Sequence, residues 1–306
     1  MVIGIPRALM YYRYGHLWKN FFALLGCETV ESGGAGREIL SEGLKYSPDE
    51  SCLPAKAYLG HVRSLIGRCD YILVPRFNDF GKNDKLCERF FGLYDTVSNT
   101  FPGAPLLDYN LCLSARRGEC PGFLGMGSRL GFSCARSLPA YREAKRLQQK
   151  ADDENAAAQR RLLDSEGTKA LVVSQPYVAH DPFIGEAVGE ALRGLGVIPV
   201  YSDYCGRGLC GRAAPDIARN LYWTMSREAV GAISLLKDKV DGIILLSAYP
   251  CGTDSLVNEL VMRRVSGLPV IQLLLDEHRS EAGLLTRLES FADVIRNSES
   301  GIRNSV

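Results

Sequence analysis

Cys251 lies at a position in the sequence where a thiol could do chemistry. It stands between an apolar run, Val240 to Leu246, and an amphipathic run, Leu256 to Arg264. This pattern predicts a buried strand, a tight turn at Gly252 and a helix start, which places the thiol at a helix N-terminus where the dipole favours a thiolate. A nucleophile, a metal ligand and an inert cysteine in a βα turn all fit this placement. The residues that could cap the helix are Thr253, Asp254 and Ser255.

Two further cysteines have similar surroundings. Cys52 comes directly before Leu53-Pro54, and a proline suits the first turn of a helix, here predicted to continue to Leu65. Cys87 follows an apolar strand, Asp70 to Pro75, and a polar stretch, Arg76 to Lys85, that the sequence predicts to be irregular. Sites in open α/β sheets are built at the carboxyl ends of strands. We therefore expect both thiols at such an edge.

Three thiolates brought together from separate segments suit an iron-sulfur cubane, with the fourth iron left open. The chain has 10 cysteines, which is many for a protein of a reducing compartment, where a disulfide framework is not expected. No CxxC pair occurs, and this disfavours zinc ribbons, thioredoxin chemistry and the ferredoxin pattern. Spacing alone leaves zinc, a cluster and simple packing as alternatives.

The composition is that of an ordinary globular protein, with 306 residues, of which 46% are hydrophobic and 23% charged. The formal net charge is +1, so no basic field indicates nucleic acid or an anionic membrane. Neither a signal peptide nor a membrane span is predicted, and we expect a cytoplasmic protein. The glycine-rich stretch Gly118 to Gly131 lacks the patterns of a nucleotide site, so it is interpreted as a loop and ATP use is not expected.

Short strands alternate with helices in both halves of the chain, as they do around Val2 to Ile5 and around Thr168 to Ser174. This alternation predicts two doubly wound, Rossmann- or flavodoxin-like α/β domains with parallel sheets and a cleft between them. We place the N-terminal domain at 1–138, a charged linking helix at 139–165 and the C-terminal domain at 166–306.

Other side chains could take part in the chemistry. Glu277 and His278 follow an apolar strand and could relay protons, although a capping network explains them equally well. Lys56, in the first turn after Cys52, could pair with an anionic cluster or substrate, although a solvated lysine is the default. Cys205 and Cys210 are interpreted as free thiols. No role is assigned to these two or to three further cysteines, Cys112, Cys120 and Cys134.

Several segments together resemble the acyl-CoA dehydratase activase-related family, whose members are similar to the D-component of the 2-hydroxyacyl-CoA dehydratases. The resemblance extends from Met1 to about Asp293 and is weakest from Leu111 to Leu163. In LCERF, Glu88 stands where relatives tend to have proline. The segments are IGIPRAL, ESCLPAK, DYILVPR, LCERFFGL, PYVAHDPF, LYW, PCGTDSLVNEL and LDEHRSEAGLLTRLESFAD.

The resemblance implies that Cys52, Cys87 and Cys251 hold a [4Fe-4S] cluster or a larger, double-cubane cluster. It implies an oxygen-sensitive, dehydratase-type enzyme that reduces a small, CoA-linked substrate by one electron at low potential. The electron would come from an ATP-dependent activase, a BadF/BcrA-type ATPase. Two alternatives stay open: a non-catalytic electron carrier or cluster donor to a partner subunit, and a cluster-free α/β ligand-binding protein. It also stays open whether the protein acts alone, as a homodimer or with a related partner subunit.

Overall fold

A computed structural model describes residues 1–33, 36–278 and 280–303, with side chains up to residue 297. The chain divides into two compact units. Unit 1 comprises Met1–Asp153 and Tyr222–Thr224, and unit 2 comprises Glu154–Leu221 and Met225–Val306. The domain boundaries and the cleft predicted from the sequence stay predictions.

Unit 1 contains a four-stranded, fully parallel sheet with the strand order β2-β1-β3-β5. A separate two-stranded parallel sheet is formed by β4 and β6. The six strands are β1 (Val2–Ile5), β2 (Glu28–Glu31), β3 (Tyr71–Leu73), β4 (Arg76–Asp79), β5 (Leu106–Leu107) and β6 (Asn110–Cys112).

Unit 2 has a second four-stranded parallel sheet with the order β8-β7-β9-β10. Counted within each unit, both orders read 2-1-3-4, as in flavodoxin-like sheets. This confirms the predicted class of two doubly wound α/β domains. The four strands are β7 (Lys169–Val173), β8 (Ile198–Tyr201), β9 (Gly242–Ala248) and β10 (Val270–Leu275).

The helices of the described residues alternate with these strands. In the first half they are α1 (Tyr11–Leu24), α2 (Gly36–Lys45), α3 (Leu53–Leu65), α4 (Glu88–Phe91), α5 (Leu93–Thr100), α6 (Glu119–Arg129) and α7 (Cys134–Asp164). In the second half they are α8 (Pro176–Ala179), α9 (Glu186–Gly194), α10 (Arg207–Ala213), α11 (Thr224–Leu236), α12 (Gly252–Arg264) and α13 (Glu281–Arg303). None of them, as far as the structure describes them, is long and apolar enough to cross a membrane.

The central strand of unit 2 shows why the sheet forms. All seven residues of β9 are buried, as expected for a parallel strand covered on both faces. Gly242 allows α13 to pack closely, because a Cβ atom there would lie 2.6 Å from the Ile295 side chain and 2.7 Å from the Phe291 ring. The strand that precedes Cys251 is therefore fixed by its neighbours on every side.

The interpretation of Gly118 to Gly131 as a loop was wrong, because α6 occupies most of this stretch. The glycines permit close packing. A Cβ atom at Gly127 would lie 2.1 Å from the Ser137 hydroxyl, and one at Gly122 would lie 2.9 Å from the Tyr109 ring. Helix formation here is decided by tertiary packing, which outweighs the low helix propensity of glycine.

The polar stretch Arg76 to Lys85 is also more regular than predicted, since it begins with β4. Burial alternates along this strand, with Phe77 and Asp79 buried and the other two residues half-buried. Phe77 packs against the rings of Tyr14 and Tyr109, with ring centroids 5.0 and 5.6 Å away. The packing of Phe77 against these two rings thus explains why a polar sequence forms a strand here.

Candidate cysteine sites

Cys251 lies between the end of β9 and the start of α12, as the sequence predicts. It is itself the N-cap residue of α12, with extended backbone angles (φ −109°, ψ 106°). The predicted caps were therefore placed too late, because the helix already begins at Gly252 and the three candidates fall inside its first turn. All three still interact with Cys251: the Ser255 hydroxyl donates to its carbonyl oxygen (2.7 Å), the Thr253 hydroxyl lies 3.2 Å from its sulfur, and the Asp254 carboxyl group is hydrogen-bonded to its thiol.

The expectation that the helix N-terminus favours a thiolate at Cys251 was wrong for the protein without a bound metal. Burial raises the pKa of Cys251 to about 12, and the nearby Asp254 also raises it, while the Thr253 hydroxyl acts in the opposite direction. The desolvation cost outweighs the lowering effects of the Thr253 hydroxyl and the Asp254 backbone amide. The thiol is consequently protonated at neutral pH and would lose its proton when a metal ion binds.

A buried polar pair lies beside Cys251. Gln175 follows β7, and its side-chain amide donates to the Asp254 carboxylate at 2.9 Å. The two residues are 5% and 7% exposed. Burial raises the pKa of Asp254, while the Gln175 amide lowers it. Since β7 and β9 are the neighbouring strands at which the strand order reverses, this pair marks the switch point of the unit 2 sheet, where α/β domains bind ligands.

Two polar atoms at this switch point have no hydrogen-bond partner among the described residues. They are the side-chain oxygen of Gln175 and the hydroxyl of Ser174, and both are buried. Unsatisfied buried polar atoms are rare and call for an explanation such as a ligand or a bound water. The Ser-Gln-Pro sequence after a strand could have indicated them, but the sequence analysis did not select it.

Cys52 caps α3 with an extended backbone (φ −66°, ψ 148°), and Pro54 stands in the first turn, as predicted. Burial raises the pKa of Cys52, and the charge of Cys87 raises it further, while the Ala55 backbone amide and the Arg89 guanidinium lower it. The thiols of Cys52 and Cys87 are thus close enough to interact electrostatically, although 35 residues separate them in sequence. Two of the three predicted ligands therefore belong to unit 1 and influence each other electrostatically.

Cys87 caps the four-residue helix α4 with a similar extended conformation (φ −60°, ψ 140°). Asp79, which has no exposed side-chain surface, anchors the segment before it. The Asp79 carboxylate accepts hydrogen bonds from the Lys85 ammonium (2.9 Å) and from the Ser114 backbone amide (2.9 Å) and hydroxyl (2.6 Å). Burial would raise the pKa of Asp79, but these donors lower it far below its usual value.

The LYW segment, Leu221 to Trp223, also holds the chain just before Cys87 in place. Trp223 forms a parallel β-bridge with Lys85, and the Thr224 backbone amide donates to the Lys85 carbonyl oxygen at 2.9 Å. Tyr222–Thr224 belongs to unit 1 although it comes from the second half of the sequence. The backbone two residues before Cys87 is therefore held by both its side chain and its main chain.

The three candidate catalytic residues have different surroundings. Lys56 is only 3% exposed, so the default of a solvated lysine was wrong, because α3 packs this residue inside unit 1. Glu277 is half-buried and His278 is exposed after β10, where the His278 backbone amide donates to the Asp276 carboxylate at 2.9 Å. A turn-capping contact accounts for that hydrogen bond, and a role in proton transfer stays a prediction.

Unit 2 contains a histidine-carboxylate pair that was not predicted from the sequence. His180 Nε2 lies 2.9 Å from the Asp203 carboxylate, between the rings of Tyr201 and Tyr204 at 4.9 and 5.1 Å. Burial lowers the pKa of His180, but Asp203 and the more distant Glu186 raise it above its usual value overall. The segment PYVAHDPF contains this histidine, but its pairing partner is 23 residues away and could not be identified from sequence.

Within the part of the chain that the structure describes, no group of three or more histidine, cysteine, aspartate or glutamate side chains is arranged to hold a metal ion. The donor chemistry nevertheless suits iron and sulfide: Cys52 and Cys87 are thiols whose charges interact, and Cys251 repeats their position at a helix start. Two neighbouring thiolates repel each other unless a cation lies between them. The ligand set predicted from the sequence stays a prediction.

Comparison with known proteins gives one family. The model of the CoA enzyme activase uncharacterised domain (DUF2229) matches residues 2–205, a range that includes Cys52 and Cys87 but not Cys251. No curated protein matches the chain. A mutant structure of the laminin-binding adhesin from Streptococcus agalactiae is 9% identical, with 97% of this chain and 98% of that chain covered and a TM-score of 0.28, which is too low to indicate a common fold.

Proposed function

Since this chain belongs to the family of the CoA enzyme activase uncharacterised domain, we propose that it is an iron-sulfur protein of the 2-hydroxyacyl-CoA dehydratase type. Cys52, Cys87 and Cys251 are the proposed ligands of a [4Fe-4S] cluster or of a larger cluster derived from it. The proposed reaction is the low-potential, one-electron reduction of a small acyl-CoA, with electrons from an ATP-dependent activase.

The observation that carries the proposal is the interaction between Cys52 and Cys87. The two thiols come from separate segments and interact electrostatically, and the backbone two residues before the second is held by Asp79 through Lys85. Such a pair is costly when both thiols ionise, because like charges repel, and iron would remove that cost. If Cys87 only packed in the interior, the segment before it would not need to be held by Asp79 and Lys85.

The helix starts support the same role. Cys52 and Cys251 each cap a 13-residue helix, and the positive end of the helix dipole stabilises negative charge on a sulfur or cluster. The backbone amides of a first helical turn are also free to donate hydrogen bonds to sulfur. Arg89 adds positive charge beside Cys52 and lowers its pKa.

An iron-sulfur cluster held by three cysteines supplies one-electron transfer and an open iron for a substrate oxygen. The chain itself would supply the polar contacts. The unpartnered oxygens of Ser174 and Gln175 lie at the switch point next to Cys251, where they could bind a hydroxyl group. Glu277, His278 and Lys56 stay candidates for proton transfer or for pairing with an anionic substrate.

The test is spectroscopic and anaerobic. The purified protein is reduced with dithionite, and in parallel with an ATP-dependent activase and ATP, and EPR spectra are recorded with and without lactoyl-CoA as a 2-hydroxyacyl-CoA probe. The proposal predicts a reduced-cluster signal that lactoyl-CoA perturbs. A signal that lactoyl-CoA leaves unchanged would favour the electron carrier, and the absence of any cluster signal would reject the proposal.

A further inference from the structure

Unit 2 contains two cysteines in which the thiol of one contacts the backbone of the other. Cys205 follows β8 and a short 3-10 turn, and Cys210 lies in α10. The Cys210 thiol donates a hydrogen bond to the Cys205 carbonyl oxygen, and the two thiols interact electrostatically. The turn into α10 therefore brings together two thiols that are close in sequence.

Packing holds this pair in place. Cys210 is 1% exposed, and its backbone lies against α11, where a Cβ atom at Gly231 would be 1.7 Å from the Cys210 carbonyl oxygen. Cys205 is partly buried and packs against the hydrophobic core of unit 2. The contact between the two cysteines is therefore a product of the fold and not of a loose loop.

The two thiols differ in reactivity. The nearby Cys210 thiol lowers the pKa of Cys205 below its usual value against the effect of burial, and Lys239 acts in the same direction as Cys210. The interaction with Cys205 and burial raise the pKa of Cys210. A partly exposed thiol with a lowered pKa beside a buried thiol is the arrangement of an attacking and a resolving cysteine.

We propose that Cys205 and Cys210 form a redox-active dithiol that low-molecular-weight disulfides oxidise to an intramolecular disulfide. The Cys205 thiolate attacks one sulfur of the small disulfide, forms a mixed disulfide and releases one thiolate. Cys210 then loses its proton to solvent and attacks the Cys205 sulfur, which releases the second thiolate. In total the chain loses two electrons and two protons, and the small disulfide is reduced to two thiols.

This site is separate from the proposed cluster ligands. Neither cysteine belongs to the set Cys52, Cys87 and Cys251, and the match to the family model ends at Cys205. The observations behind the inference are the hydrogen bond from the Cys210 thiol to the Cys205 carbonyl oxygen and the burial of Cys210. It therefore holds or fails independently of the cluster.

The experiment is peptide mapping by mass spectrometry. The protein is treated anaerobically with glutathione disulfide at pH 8, remaining thiols are blocked with iodoacetamide, and trypsin is added. Because Arg207 lies between the two cysteines, trypsin separates them unless a disulfide joins the peptides. The expected product is one pair of peptides linked through Cys205 and Cys210, which is lost after treatment with dithiothreitol.

Two variants test the order of the steps. C210S should stop at a stable glutathione adduct on Cys205, and C205S should leave the buried Cys210 unmodified. The exposed Cys134 is the internal control for access of the reagent. If Cys134 becomes glutathionylated while Cys205 and Cys210 stay reduced in the wild type, the proposal is wrong, and an adduct that fails to form in C210S overturns the role of Cys205.

Discussion

The Asp79 carboxylate accepts a hydrogen bond from the Lys85 ammonium at 2.9 Å, two residues before Cys87. Asp79 is fully buried, whereas the Lys85 side chain is 23% exposed. Ser114, which follows β6, donates to the same carboxylate. One carboxylate thus connects β4, the end of β6 and the segment that leads to the proposed ligand.

Replacement of Asp79 should destabilise unit 1 and loosen Cys87. Asp79→Ala leaves the donors of Lys85 and Ser114 without their acceptor, which should lower the free energy of unfolding by about 3 kcal/mol, as measured by urea denaturation. The matched control is Asp95→Ala, since Asp95 is 58% exposed and pairs with Arg76 at the surface, and it should cost less than about 1 kcal/mol. Equal losses of unfolding free energy in the two variants would contradict the role of Asp79 in stabilising unit 1.

The same carboxylate predicts a pH dependence. Because the folded pKa of Asp79 is depressed, its stabilisation is fully present above the unfolded pKa of about 4 and is lost as the pH falls through the folded pKa. The difference in unfolding free energy between the wild type and Asp79→Asn should therefore be largest at neutral pH and shrink below about pH 4. A difference that grows on acidification would show that the carboxylate is not stabilised in its charged form.

Close packing of α2 on α3 should fix the helix that Cys52 caps. A Cβ atom at Gly60 would lie 1.9 Å from the Ile39 carbonyl oxygen, so Gly60→Ala must push the helices apart and should cost roughly 2 kcal/mol or more. At Gly125 in α6, a Cβ atom would meet no neighbouring atom within 4 Å. Gly125→Ala should thus stabilise the helix by up to about 1 kcal/mol, and thermal unfolding compares the two.

His180 should stabilise unit 2 in its protonated form. Its folded pKa is raised, so the stabilisation by Asp203 is fully present below the unfolded pKa of about 6.5 and is lost as the pH rises through the folded pKa. The groups that face the imidazole are Asp203, Glu186, Tyr201 and Tyr204. The unfolding free energy lost in His180→Gln should therefore be larger at pH 5.5 than at pH 8.5.

The matched control for that experiment is His16→Gln, since His16 is exposed and hydrogen-bonds only to polar groups of Asn20 in the contacts described. This variant should change the unfolding free energy by less than about 0.5 kcal/mol. A loss in His180→Gln that grows with rising pH would mean that the neutral imidazole is the stabilised form, and the pair with Asp203 would then need another explanation.

Local sequence rules predicted the parts of the site that depend on short segments. The apolar run before Cys251 became β9, a helix followed that cysteine, although it begins earlier than predicted, and Pro54 stood in the first turn of α3. These features follow from hydrophobic patterning and turn chemistry, which act over a few residues.

The features that were not predicted depend on contacts between distant segments. Trp223 pairs with Lys85 although the two lie in opposite halves of the sequence, and the raised pKa of Cys251 comes from burial that no local pattern reports. The α6 helix forms because Gly122 and Gly127 let neighbouring side chains approach, whereas composition alone indicated a loop. Tertiary packing is the common cause.

The central claim is that Cys52, Cys87 and Cys251 hold an iron-sulfur cluster, and the most direct measurement is iron and acid-labile sulfide per chain after anaerobic reconstitution. We predict about four of each in the wild type and in the exposed-cysteine control Cys134→Ala, with a loss of most iron in Cys52→Ala, Cys87→Ala and Cys251→Ala. Far-ultraviolet circular dichroism should show that all variants are folded. A wild type that binds no iron, or three folded cysteine variants that keep all of it, would contradict the account.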